Sequence, residues 1–237
     1  MMRRRDADER SYARFAGLHG LPLPVECQHG TPLFLPWHRA FLLFFERAMR
    51  DRVPTATLAW WNWATPDGQR GTVPRLFGDQ SVGSASNPLF SAPVSQRALQ
   101  QGEAGGQPAP GPSTVRRPGN SGRRLPRASE VRDLVETRDF RTFNSRLEEM
   151  HGQVHMWTGG HMQLIPFSGF DPIFWAHHSM VDRLWRLWQI RHNAPGPHPS
   201  LWGQALPPFG MTVAQTLDVT LLGYDYASST ASQPVSG

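Results

Sequence analysis

Six of the ten histidines in the chain fall into two groups whose spacing suits metal binding. His151 and His155 stand four positions apart, so on a helix they leave one face about a turn apart and can aim both imidazoles at one ion. A third nitrogen for that ion comes from His177 or His178, and as immediate neighbours only one of them easily faces the same point. The other group is His19, His29 and His38, with His29 in a proline-rich stretch and His38 following Pro36 and Trp37. A single histidine is ordinarily a hydrogen-bonded core or surface residue. Two triplets point instead to a pair of metal ions with three nitrogens each, leaving positions open where a small molecule such as dioxygen can bridge.

Ligand chemistry narrows the choice. Neutral imidazole suits copper, zinc, iron and nickel, and copper(II) heads the affinity order at nitrogen sites. A carboxylate-bridged di-iron centre needs Glu-x-x-His on two helices; Glu148–His151 supplies one copy and no clear second follows. A zinc protease needs His-Glu-x-x-His, and between His151 and His155 there is no glutamate to act as base.

The elements that must carry these residues are helical. Ser11–Leu18 is short and periodic, Leu21–Pro36 carries four prolines and reads as a loop, and His38–Met49 is strongly amphipathic. Helical character returns over Ser129–Trp157 and over His177–Arg191, where Met180, Leu184, Leu187 and Trp188 make one apolar stripe. Leu58–Ala64 is aromatic and short, a buried turn or a brief strand. Between Gly78 and Arg127 periodicity gives way to Gly, Pro, Ser, Gln and Arg, the composition of a mobile loop; Arg116, Arg117, Arg123, Arg124 and Arg127 are expected to be solvated there. The tail from Asn193 reads as irregular. The expectation is a mainly α fold, a four-helix-bundle core housing a dinuclear metal site with long irregular loops, in a single domain over residues 1–237.

Composition fits that reading. The chain has 237 residues, 39% of them hydrophobic and 18% charged, with 22 Gly and 22 Pro that must sit mostly in loops. The net charge of +5 comes with 24 basic residues that are all Arg and with no nucleic-acid motif, so no nucleic-acid partner is expected. No run of about 18 apolar residues occurs, so no membrane partner is expected either. No apolar stretch follows the basic start Met1–Arg5, so the chain reads as lacking its own signal peptide, either cytoplasmic or exported with a partner. The lone cysteine, Cys27, rules out an intrachain disulfide.

Three segments are similar to a known family. FAGLHGLPLPVECQHGTPLFLPWHRAFLLFFERAM at Phe15–Met49, MHGQVHMWTGGHM at Met150–Met162 and FDPIFWAHHSMVDRLWRLWQ at Phe170–Gln189 resemble the two copper motifs of the tyrosinase, catechol oxidase and molluscan haemocyanin superfamily. Tyr224–Tyr226 is similar to the Tyr-x-Tyr element that closes the family's catalytic domain. The resemblance implies two copper ions, one held by His19, His29 and His38 and the other by His151, His155 and His178, with dioxygen as co-substrate and His177 beside the substrate. It implies oxidation of o-diphenols to o-quinones, with monophenol hydroxylation, o-aminophenol oxidation or haemocyanin-like dioxygen carriage as alternatives. Members with this Cys-x-His pattern join the cysteine to the histidine ring, which implies a Cys27–His29 thioether.

Other positions take expectations from the same source. Members that deprotonate monophenols place an Asn after the first ligand of the second copper and a Glu nearby to hold a water; here those positions are Gly152 and Glu148. Met156, after His155, offers a substrate no charge. Phe174 reads as a site wall that could hang over the metals, Asp171 and Asp182 as caps or ion-pair partners, and Trp60, Trp61 and Trp63 as packing. The partners implied are a small phenol and, with no shielding domain expected after Tyr226, a small protein that delivers copper or covers the site.

Overall fold

The computed structural model describes residues 10–21, 26–65 and 71–227. The basic start Met1–Arg5 and part of the Leu21–Pro36 loop lie outside them. Eight α-helices occur among the described residues: α1 (Tyr12–Leu18), α2 (Phe34–Arg50), α3 (Arg75–Gly78), α4 (Gln96–Ala104), α5 (Ala128–Val135), α6 (Phe140–Thr158), α7 (Ile165–Ser168) and α8 (Pro172–His192). Two antiparallel hairpins accompany them, β1 (Ser81–Val82) with β2 (Ala85–Ser86), and β3 (Ala205–Leu206) with β4 (Met211–Thr212). The fold is mainly α, with α2, α5, α6 and α8 packed on one another around a continuous apolar core.

Helix starts follow capping chemistry. Ser11, Asp139 and Asp171 accept from the backbone N–H of Arg14, Thr142 and Ile173, satisfying donors that the first turn leaves unpaired. Pro172 then occupies the first helical position, where its missing N–H costs nothing. For that reason α8 begins five residues earlier than the expected His177, and His177 and His178 lie in its second turn. Likewise α2 begins at Phe34 and not at His38, because Pro36 falls in the first turn, where proline is tolerated. The expected helix over Ser129–Trp157 is two helices, broken at Glu136–Asp139 where Asp139 starts a new cap.

The stretch from Gly78 to Arg127, expected to be mobile, is ordered. It contains β1, β2 and α4, and it buries Ala92, Val94, Ala98 and Leu125. Its main anchor is Arg116, a residue expected to be solvated. The Arg116 guanidinium binds both oxygens of the buried Asp171 carboxylate and donates to the carbonyls of Phe77 at 2.5 Å and Leu89 at 3.0 Å. Composition hides this because the guanidinium supplies the polar partners for carbonyls that the loop buries. Arg117, Arg123, Arg124 and Arg127 are exposed, as expected. Leu58–Ala64 forms no strand: it is irregular to Asn62 and turns at Trp63–Ala64, with Trp61 and Trp63 buried. The tail beyond Asn193 includes the β3–β4 hairpin.

One buried network ties α2 to α8 beside the histidines. Arg39 Nε donates to Asp182 at 2.6 Å, and the guanidinium lies 3.6 Å from the centre of the Trp185 ring. The hydroxyls of Tyr224 and Tyr226 donate to the other Asp182 oxygen at 2.8 and 2.7 Å. The Tyr-x-Tyr segment thus completes the solvation of a carboxylate buried between the two helices. No helix among the described residues is long and apolar enough to cross a membrane.

Candidate metal centre

All six histidines converge on one chamber. His19 ends α1, His29 stands in the irregular segment before α2, His38 is on α2, His151 and His155 are on α6, and His178 is on α8. In the first triplet the ring centres are 5.5 Å (His19–His29), 5.6 Å (His19–His38) and 5.2 Å (His29–His38) apart. In the second they are 4.4 Å (His151–His155), 4.8 Å (His151–His178) and 5.5 Å (His155–His178). His38 and His178 stack at 4.7 Å and join the two triplets. Ligand atoms of His151, His155, His177 and His178 lie within 4.8 Å of one another, as do those of His19, His38 and His178.

Five of the rings are aimed by their outer nitrogen. Nδ1 of His19 donates to Ile165 O at 3.2 Å, His38 to Phe34 O at 2.8 Å, His151 to Glu148 O at 3.3 Å and His155 to Met162 O at 2.6 Å. His29 Nδ1 donates to Glu148 Oε1 at 3.2 Å. A carbonyl or an ionised carboxylate has no proton to give, so each of these rings carries its proton on Nδ1 and turns the Nε2 lone pair inward. Nε2 of His19, His29 and His38 is buried without a hydrogen-bond partner among the described residues. Nε2 of His151 and of His155 each stand 3.3 Å from Nε2 of His178.

These orphaned nitrogens fit a metal ion. A separation near 3.3 Å is about the edge of a tetrahedron built on metal–nitrogen bonds of roughly 2.0–2.1 Å. Burial pushes the pKa of His155 down to about 4 and those of His19, His38, His151 and His178 well below the ordinary range, helped by neighbouring imidazoles. Neutral imidazole is the form that binds a metal. The arrangement suits a pair of soft or borderline cations, and among the described residues no carboxylate joins these nitrogen groups.

Close backbone approaches set two of these contacts. A Cβ on Gly20 would stand 2.5 Å from Ile165 O, so only glycine lets the end of α1 come near enough for His19 to reach that carbonyl. A Cβ on Gly160 would stand 2.0 Å from Val115 O. Here the Val115 segment grips the turn after α6 through His161 N–H to Val115 O at 3.0 Å and Val115 N–H to His161 Nδ1 at 3.1 Å. That turn delivers Met162 O to His155. Sequence reasoning misses Ile165, Met162, Gly20 and His161, since a carbonyl acceptor carries no side-chain signature; a glycine directly after His19 is the one available sign.

The remaining expected site residues lie at the chamber as follows. Phe174 is buried with its ring centre 4.1 Å from His178 and 4.8 Å from His19. His177 is buried and stacks on His151 at 5.1 Å, its ring nitrogens without a well-formed hydrogen bond. Met156 is 37% exposed on α6, and the Cα of Gly152 faces open space. Cys27 is a buried free thiol whose sulfur groups with His19 and His29 within 4.8 Å, and burial raises its pKa to about 12. A surface cavity of about 310 Å³ lined by Leu42, Arg47, Trp60 and Tyr224 includes none of the histidines; the chemistry lies with the imidazoles, whose metal-binding nitrogens gather in groups within 4.8 Å of one another.

The model described as the common central domain of tyrosinase matches residues 9–191. The chain belongs to the tyrosinase family. This is the type-3 copper family of tyrosinases and hemocyanins, and its members hold a dinuclear copper centre. The tyrosinase of Streptomyces lincolnensis is 32% identical over 197 residues, spanning 73% of this chain and 68% of that one. Hemocyanin A-type, units Ode to Odg, of Enteroctopus dofleini is 31% identical over 199 residues, covering 78% of this chain but only 16% of the hemocyanin. Solved structures share the fold: a functional unit from octopus hemocyanin at TM-score 0.73 and 24% identity, over 94% of this chain and 61% of that one. The tyrosinase from Burkholderia thailandensis follows at TM-score 0.74 and 21% identity, over 97% and 67%.

Proposed function

We propose that this tyrosinase-family chain is a copper oxidase that converts o-diphenols to o-quinones with dioxygen, using His19, His29 and His38 for one copper and His151, His155 and His178 for the other. The observation that carries the reading is the inward turn of buried Nε2 lone pairs, set in five of the six rings, all but His178, by an outward Nδ1 hydrogen bond. When bound, copper would supply the redox chemistry, in which two diphenols each give up two electrons and two protons and one dioxygen takes up all four of each to leave as two waters.

The chain's own residues do the positioning. Fixed rings hold the metals without rearrangement. Phe174, Phe34 and Phe41 wall the chamber with apolar rings and exclude water from it. His29, 24% exposed, is the most open of the six ligand rings and marks the side from which a phenolic ring would approach, and Met156, 37% exposed on α6, would offer it apolar contact. Monophenols demand removal of a proton whose ordinary pKa is near 10. Gly152 brings no side chain to that task and Met156 no base, so o-diphenols are the preferred class.

A second reading, reversible dioxygen binding, is favoured by the similarity to octopus hemocyanin. Turnover separates the two. Copper-loaded protein is mixed with catechol, a monophenol and an o-aminophenol, and quinone formation is followed beside metal content in wild type and His155→Ala. The oxidase reading expects catechol turnover lost with one copper in His155→Ala; dioxygen uptake without any product supports the carrier.

A further inference from the structure

Four of the five tethered rings are held by main-chain carbonyls, and His29 is the exception. Its Nδ1 faces the Glu148 side chain at 3.2 Å, and the same Oε1 accepts the Gly30 N–H at 2.7 Å. Glu148 lies on α6 three residues before His151, and its own carbonyl accepts from His151 Nδ1 at 3.3 Å. One residue therefore holds a ring from each triplet, through its carboxylate on one side and its main chain on the other.

The need for such a tie follows from where His29 sits. His38, His151, His155 and His178 ride on helices whose internal hydrogen bonds set their direction. His29 belongs to the irregular segment between Glu26 and Leu33, and its side chain is the more open of the pair it makes with Glu148, 24% exposed against 18%. That segment meets α6 through Asn144, whose Nδ2 donates to Thr31 O at 3.1 Å, and through Glu148. Without an acceptor at Nδ1, the ring is free to carry its proton on Nε2, which is buried with no partner, and would then present N–H where a lone pair is required.

We propose that Glu148 is the positioning residue that assembles the centre: its carboxylate fixes the tautomer and direction of His29 and docks the 26–33 segment on α6. This rests on the dinuclear copper reading above and adds to it. A charge-assisted hydrogen bond to a carboxylate holds the His29 ring more firmly than a neutral carbonyl would. Glu148 acts through His29, so its loss falls on one copper and not on both. A carboxamide at this position retains an oxygen acceptor for both donors, whereas a methyl group retains none.

The test is made first on copper-free protein labelled with nitrogen-15 in its histidines. Long-range nitrogen–proton correlation spectra are expected to place the His29 proton on Nδ1 in wild type and in Glu148→Gln, and to show the Nε2-protonated form gaining population in Glu148→Ala. Copper is then withdrawn from each protein with a competing chelator. Glu148→Ala is expected to lose one of two ions at about 10–100-fold weaker affinity, the usual cost of removing an outer partner of a metal-bound histidine, while Glu148→Gln recovers most of the difference. Unchanged affinities for both ions in Glu148→Ala overturn the proposal. So does a wild-type His29 protonated on Nε2, a result that needs no variant to fold. Uptake of fewer than two coppers by the wild type counts against the copper reading itself, while the His29 tautomer, measured without metal, still decides the role of Glu148.

Discussion

Lowering the pH of the copper-free protein from 7 to 5 should weaken its fold, and His155 sets the scale. Burial lowers the His155 pKa to about 4, against an ordinary value near 6.5. The unfolded chain therefore binds its proton first as pH falls, so the stabilising contribution is complete above about 6.5 and drains away towards 4, below which both states are protonated. At 1.36 kcal/mol per pKa unit the whole difference is worth about 3.4 kcal/mol, and about 2 kcal/mol of it is lost by pH 5. His19, His38, His151, His177 and His178 shift in the same direction, chiefly through burial, and add to the loss. Carboxylates act elsewhere: Glu130, held down to about 2 by Arg124, keeps its contribution until the pH drops below the ordinary carboxylate range. The window from 6.5 to 5 thus belongs to histidines. Urea unfolding at pH 7, 6 and 5 measures the effect, and copper-loaded protein should resist it because the metal competes with protons for the same nitrogens. A copper-free stability that stays level within about 0.5 kcal/mol across that window would refute buried neutral histidines, given the size expected from linkage.

Four substitutions probe the scaffold. Arg116→Ala strands the fully buried Asp171 carboxylate and should cost about 3–5 kcal/mol in urea unfolding; a loss below about 1 kcal/mol, the scale of an exposed pair, would contradict the anchoring role. Gly152→Ala meets nothing within 4 Å and should raise stability by about 0.5–1 kcal/mol through helix propensity. Gly102→Ala, by contrast, puts a Cβ 2.2 Å from the Phe167 ring and should lower it by about 1–3 kcal/mol, so equal effects at the two glycines would sink the distinction. Phe174→Ala empties the wall against His178 and should cost about 3–5 kcal/mol in thermal or urea unfolding, with weaker copper retention by the same protein; unaltered retention would remove Phe174 from the site.

Much of the centre is legible in the sequence because imidazole at helical spacing is an uncommon pattern with few uses. His151 and His155 declare a shared face, and the Asp171–Pro172 pair marks the start of α8 for a reader who weighs caps above periodicity. What sequence conceals is the outer layer. His19, His38 and His155 depend on carbonyls of Ile165, Phe34 and Met162, and any residue type supplies a carbonyl. The Gly78–Arg127 stretch misleads for a related reason. Its order comes from a handful of long-range bonds centred on Arg116, and composition records the arginine without recording the buried carboxylate that it meets 55 positions away. Glu148 is the mixed case, visible as a charge near His151 but not as the partner of His29, 119 positions distant.

The most direct test of the account is copper anomalous diffraction from crystals of the loaded protein. The account predicts two peaks roughly 3.5–4 Å apart, one bonded to Nε2 of His19, His29 and His38 and the other to Nε2 of His151, His155 and His178, with His177 bound to neither. A single peak, or a second ion held by His177 in place of His178, would contradict it.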